Sequence, residues 1–200
     1  MKTQINIRFL LLILITAIAG TARLVMTKAG DSAWMNFTPV GAMALFGGAY
    51  FSGKWKPFAF PLLTLFLSDI ALIRIFYPSH VEGLLYTGWY WTYGAFAAMA
   101  LIGKLVLKKV NAARFLAAGF FAALAHYIIA DFGMWLESPL YSKDLAGFIA
   151  CYVVAIPYFK NMLLGNFFFG AALFGGFELA QWKIPALRPE EATVSQKNGR

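Results

Sequence analysis

A chain of 200 residues that is 60% hydrophobic and only 13% charged departs far from soluble domains, where about 25% charge is usual. Apolar runs long enough to cross a bilayer recur along its length, which predicts a polytopic membrane protein in contact with lipid. The net charge of +8 has no soluble basic domain to sit on, and nucleic acid is excluded as a partner.

Lys2 and Arg8 precede an apolar run over 9–18, followed by the small residues Ala17-Ile18-Ala19-Gly20, a layout that imitates a cleaved signal peptide. The run continues through Leu24-Val25-Met26, which favours a first transmembrane helix over residues 7–26. Ala17, Ala19, Gly20 and Thr21 give this helix a small-residue face. Residues 23–35 read as a loop.

Residues 36–51, NFTPVGAMALFGGAYF, are the stretch around which the other elements are organised. A polar turn, Asn36-Phe37-Thr38-Pro39, leads into a predicted second helix over 38–51, rich in glycine and alanine. At about 1.5 Å per residue it is shorter than the roughly 30 Å hydrocarbon core, so it should pack against protein. Ala44 and Gly48 form a small-xxx-small pair of the kind that brings membrane helices together.

A basic turn, Lys54-Trp55-Lys56, precedes a third helix over 58–73 with Pro61 in its first turn. After a loop over 74–88, a fourth helix covers 89–107, and a fifth, beyond Lys108-Lys109, covers 112–136. Residues 145–158 contain Pro157 and read as a short helix or re-entrant piece. The last span is predicted over 159–182. Residues 1–182 then form a single membrane domain, and 183–200 a polar, disordered, cytoplasmic tail.

Six spans put both termini on one side. With that side inside, twelve of the 17 lysines and arginines lie on inner segments and Arg23, Lys28, Arg74, Lys143 and Lys160 outside, as the positive-inside rule requires. All 6 tryptophans fall at predicted span ends, where an interfacial belt belongs. The fold class expected is an all-α integral membrane protein, a six-transmembrane-helix bundle with both termini cytoplasmic.

Ionisable groups inside a span are functional candidates. Asp131 lies in the outer half of the fifth helix, with Trp135 one turn later and His126 deeper. Asp69 ends the third helix, and either faces interfacial water or accepts from Arg74. Asn161 and Asn166 lie in the last span, and Asn36 and Thr38 open the second. Folded together, these would make an outward-facing polar pocket rimmed by Trp34, Tyr86, Trp89, Trp91 and Trp135. His126 can equally be a core histidine bonded to a neighbouring helix, and Glu178 should pair with Lys183 or snorkel.

Catalysis is not expected. The chain has no serine elbow, no metalloprotease motif and no P-loop, and one cysteine, Cys151, which reads as a small buried hydrophobe. His126 and Asp131 are five residues apart, about 140° round a helix of 3.6 residues per turn, and should not act on one small substrate. No metal and no cofactor is expected.

The segments Asn36 to Phe51, Phe60-Pro-Leu-Leu-Thr-Leu-Phe-Leu-Ser-Asp69, Gly88-Trp-Tyr-Trp-Thr-Tyr-Gly-Ala-Phe-Ala, Asp131-Phe-Gly-Met-Trp-Leu136 and Cys151-Tyr-Val-Val-Ala-Ile-Pro-Tyr-Phe resemble an uncharacterised bacterial family of transport-type proteins. That family is similar to the substrate-binding S components of energy-coupling factor (ECF) vitamin transporters. The resemblance implies a six-helix protein of the bacterial cytoplasmic membrane with a ligand pocket near its outer face. It also implies that the small residues Ala17 to Ala22 dock a coupling subunit that works with ATPases. Solitary S components that carry cobalamin use a cysteine after the third helix. This chain has Arg74-Ile-Phe-Tyr-Pro there, with His80 nearby.

The function expected is therefore a substrate-binding membrane subunit for uptake of a small vitamin- or cofactor-like molecule. Its pocket would be served by Asn36, Thr38, Asp69, Trp89, His126, Asp131, Trp135, Asn161 and Asn166. The alternatives are a structural or assembly membrane protein without ligand, and a solitary ion-coupled carrier. The carrier would need an ionisable chain across the membrane that the inner halves do not supply.

Overall fold

The computed structural model describes residues 7–29, 34–76 and 83–188. It is all-helical in these segments: α1 (Ile7–Ala29), α2 (Val40–Tyr50), α3 (Lys56–Phe76), α4 (Trp89–Val106), α5 (Ala112–Glu137) and α6 (Leu145–Lys183), closed by a 3-10 turn at Pro185–Leu187. Four of them, α1, α3, α5 and α6, are long and apolar enough to cross a membrane. The chain is a multi-pass membrane protein. The expectation of six full spans is met by only four: α2 has 11 residues, and α4 opens on the polar-aromatic run Trp89-Tyr90-Trp91-Thr92-Tyr93 and carries Lys104 near its end.

α2 is the centre. It begins at Val40, two residues later than expected, and ten of its side-chain positions are buried. Around it pack α4, α3, α6, α1 and α5. Between apolar helices in lipid, close backbone packing supplies the association that water would otherwise drive, and glycine sets the spacing. A Cβ on Gly48 would stand 2.1 Å from the Ala100 carbonyl oxygen of α4, and one on Gly103 2.4 Å from that of Leu45. Towards α3, a Cβ on Gly47 would meet the Pro61 ring at 2.3 Å and the Pro57 carbonyl oxygen at 3.3 Å. Pro61 has no N–H for that carbonyl.

Two further boundaries differ from the sequence reading in ways that bear on the site. α1 continues to Ala29, so Arg23, in the stretch 23–26 read both as helix and as loop, belongs to the helix. Residues 145–158 are not a separate or re-entrant piece: α6 runs unbroken for 39 residues through Pro157. At about 1.5 Å per residue that is roughly 58 Å, well past the roughly 30 Å hydrocarbon core. The helix must be steeply tilted or extend beyond the hydrocarbon.

Side-chain caps mark two starts. Asn111 accepts from the Arg114 N–H at 2.9 Å ahead of α5, and Asp144 from the Gly147 N–H at 2.8 Å ahead of α6, each satisfying a donor the helix leaves orphaned.

At the pole holding the start of α1 and the end of α6, the Tyr50 hydroxyl donates to Glu178, which is exposed and, of the two expectations, does not meet that of a pair with Lys183. Arg8 donates to Gln181 at 3.0 Å and to the Leu187 carbonyl at 2.6 Å. Leu187 is buried, so the folded unit extends past residue 182, where the tail was expected to begin. Residues 189–200 lie outside the described residues, as does His80.

Candidate functional site

The other pole holds a cavity of about 600 Å³. Its walls are the 34–38 turn, the start of α4, the end of α5 and the first half of α6, with Tyr141 reaching in from the α5–α6 loop. Small-molecule sites are concave, mostly apolar, and about 300–1,000 Å³ in volume.

The 34–38 turn has an unusual local conformation. Asn36 has φ 68°, in the left-handed region, the only non-glycine to do so among the described residues; asparagine is one of the few side chains that tolerates it. Phe37 N–H donates to the Trp34 carbonyl at 3.0 Å and Thr38 N–H to that of Asn36 at 3.0 Å. α6 holds this turn from behind. Asn161 Nδ2 donates to the Met35 carbonyl at 2.9 Å. One turn on, a Cβ on Gly165 would come within 3.0 Å of the Thr38 carbonyl oxygen. Asn36 and Thr38 therefore reach the cavity wall on a backbone braced by α6.

His126 and Asp131 also line the cavity. The offset round α5 does not separate them onto different surfaces, contrary to the sequence reading. The His126 ring stands edge-on to Phe96 at 4.9 Å, a contact that fixes its position without satisfying its nitrogens. Neither side chain has a hydrogen bond or ion pair among the described residues. The only bond at Asp131 besides the helix's own is the Cys151 thiol directed at its backbone carbonyl, at 3.5 Å.

The remaining candidates fall elsewhere. Asp69 is 3% exposed and pairs with Arg23, Nη2 to Oδ1 2.6 Å, not with Arg74 or water. Trp89 packs on Tyr90 and Tyr93 and is absent from the cavity wall. Trp135 donates to the Ser142 carbonyl at 3.0 Å and meets Phe148 edge-to-face, fastening the loop over α6. Asn166 is fully buried and donates to the Gly119 carbonyl at 3.1 Å, binding α6 to α5. Its Oδ1 has no hydrogen-bond partner and lies where a Cβ on Gly41 would come within 2.1 Å. Of the expected rim, Trp34 and Tyr86 line the cavity.

Several wall residues were not expected: Arg23, Tyr127, Tyr141, Tyr158 and Cys151. Cys151 is 2% exposed, a buried thiol as expected, but beside the cavity. Burial holds the Tyr86 phenol above its ordinary pKa, against the bond with Thr92 that lowers it. A second cavity, about 480 Å³, adjoins the first and shares Tyr86, Thr92, Ala130 and Met134 with it. Its far wall holds Glu137, which accepts from Tyr90 and, at 2.8 Å, from the Trp91 indole.

The small residues of α1 split between two faces. Ala19 and Gly20 are buried, and a Cβ on Gly20 would meet the Thr64 methyl at 2.4 Å. Ala17 and Thr21 face outward. A common docking face for all four is ruled out.

The chain belongs to a family of unknown function, DUF6580, which matches it over residues 3–187. Comparison with curated proteins and with solved structures gave no match.

Proposed function

We propose that this DUF6580 protein is a substrate-binding membrane subunit that takes up a small, vitamin- or cofactor-sized molecule through the cavity at the Asn36–Asp131 pole. The observation that carries the reading is a carboxylate, Asp131, without a partner among the described residues and facing a cavity of about 600 Å³ within a membrane protein. A carboxylate at that depth is expensive to keep unless it meets a cation, a proton or a polar cavity. The competing reading, polar residues that only pin helices together, accounts for Asp69, Asn161 and Asn166. It leaves Asp131, His126 and the cavity without a purpose.

In this reading Asn36, Thr38, His126 and Asp131 contact the substrate, and the protein binds without transforming it. Lys56 beside Phe9, Lys104 beside Phe58, and Arg8 near the opposite pole favour the cytoplasmic side of a bacterial inner membrane for that pole, the start of α1 and the end of α6. The cavity then opens outward. Residues 7–188 act as one membrane unit. Any coupling partner, such as an ECF-type subunit with ATPases, would meet α1 through Ala17 and Thr21.

The test is mass spectrometry of small molecules released from the full chain purified in mild detergent. A stoichiometric compound, lost in Asp131→Asn while the protein stays folded, is the expected result. A well-folded protein that carries no compound and binds none of a vitamin panel would overturn the reading.

A further inference from the structure

We infer that the cavity selects a small organic cation, a ring compound bearing a protonated or quaternary nitrogen, with Asp131 as its counter-ion. This rests on reading the cavity as a ligand site and adds the charge of the ligand.

The argument is a charge balance over the wall. Arg23 is the one strong cation lining the cavity among the described residues. Its Nη2 lies 2.6 Å from Asp69 Oδ1 and its Nη1 donates to the Ser68 hydroxyl at 2.6 Å. Its charge is matched from behind the wall. Lys143, in the loop above, donates to the carbonyls of Trp135 and Ser138 and does not line the cavity. His126 has no carboxylate against it among the described residues. Among the described residues Asp131 is therefore the one acid on the wall, without a cation to match it, and the wall they form has the sign that attracts a positive guest.

The lining suits the same guest. Tyr127, Tyr141, Tyr158 and Phe96 surround the space, and aromatic faces attract cations through the ring quadrupole. Tyr141 and Tyr158 have no ring contact with another aromatic side chain among the described residues, so their faces are not already occupied by a neighbouring ring. A free anion would meet Asp131 with no unmatched positive group among the described residues to hold it. A zwitterion would have to take Arg23 from Asp69, leaving a buried carboxylate without its partner.

The experiment uses the full chain in mild detergent and four probes on one scaffold: tryptamine, indole-3-propionamide, indole-3-propionate and tryptophan, with benzyltrimethylammonium as a cation that cannot donate a hydrogen bond. Affinities are read by calorimetry. The two cations should bind at least tenfold more tightly than the amide, the acid and the zwitterion. Asp131→Asn should erase the preference and Asp131→Glu keep it. Equal or tighter binding of the acid or of tryptophan overturns the inference, as does a cation preference that survives in Asp131→Asn or no binding of either cation. If a neutral or anionic compound co-purifies with the protein, the charge assignment fails and the ligand site stands. If nothing co-purifies and no vitamin or probe binds, the site reading itself fails.

Discussion

Arg23 on α1 sets its Nη2 2.6 Å from Asp69 Oδ1 on α3, and Tyr93 on α4 donates to the other carboxylate oxygen at 2.8 Å. One carboxylate thus ties three helices together beneath the cavity. Removing one partner of such a pair leaves a charge without compensation and costs about 3–5 kcal/mol, whereas replacing both by apolar groups is often close to neutral. Asp69→Ala should lower the melting temperature of the purified protein sharply. Arg23→Met combined with Asp69→Leu should recover most of it. A double variant as unstable as the single one would show that the pair is not what holds α1 to α3.

The contact between α2 and α4 gives a second prediction. Gly48 and Gly103 each face a carbonyl oxygen of the other helix at a distance no Cβ can occupy. Gly48→Ala should push α2 away from α4 and cost about 1–3 kcal/mol, the usual range for overpacking a tight core. Gly175 and Gly176 on α6 face open space. Alanine at either should leave the melting temperature unchanged or raise it slightly, since glycine is about 1 kcal/mol worse than alanine inside a helix. Equal effects at Gly48 and Gly175 would remove the packing argument.

These glycines explain why the centre of the fold was legible in the sequence. An apolar segment too short to span, smooth on every side, has to be wrapped by its neighbours, and α2 is. That Asp131, His126, Asn36 and Thr38 line one cavity was legible because polar groups at one end of several apolar helices converge when the helices pack. Asp69, Asn161 and Asn166 carry the same signal for a different reason. Each bonds a group on a distant segment, Arg23, the Met35 carbonyl and the Gly119 carbonyl, and nothing local in the sequence encodes which segment that is. Arg23 falls in residues 23–26, which the sequence assigns both to the first helix and to the loop after it, so its partner on α3 was not legible. Pro157 carries the sequence signal of a break, while α6 continues through it.

The pole opposite the cavity predicts a proteolytic phenotype. Arg8 holds the Leu187 carbonyl at 2.6 Å and the Gln181 side chain at 3.0 Å, and its guanidinium lies 5.5 Å from the Phe177 ring centroid. Arg8→Ala should release the turn at Pro185–Leu187 and speed protease cleavage near residue 188 several-fold. Substrate retention should stay unchanged, because the cavity lies at the other pole. Cleavage at the wild-type rate would mean that burial of Leu187 alone holds the turn.

Acid should loosen the cavity from the α6 side. Asp144 accepts from the Gly147 N–H at 2.8 Å and from the Ser142 hydroxyl at 2.7 Å, and these bonds, the backbone one foremost, hold its carboxyl below the ordinary pKa. A carboxyl lowered on folding contributes stability that is complete above its unfolded pKa, about 3.9. That contribution is lost as pH falls through the folded value. The first turn of α6 should therefore keep its amide protection at neutral pH and lose it below about pH 4. Asp144→Asn retains an acceptor for the Gly147 N–H but cannot titrate, so its protection factors should be flat across the same range, measured by hydrogen exchange. A parallel loss in the variant would assign the acid sensitivity to another group. Because Cys151 and Ala155, about two and three turns along α6 from Asp144, line the cavity, fraying at Asp144 should also weaken retention of a bound molecule in the wild type and spare the variant.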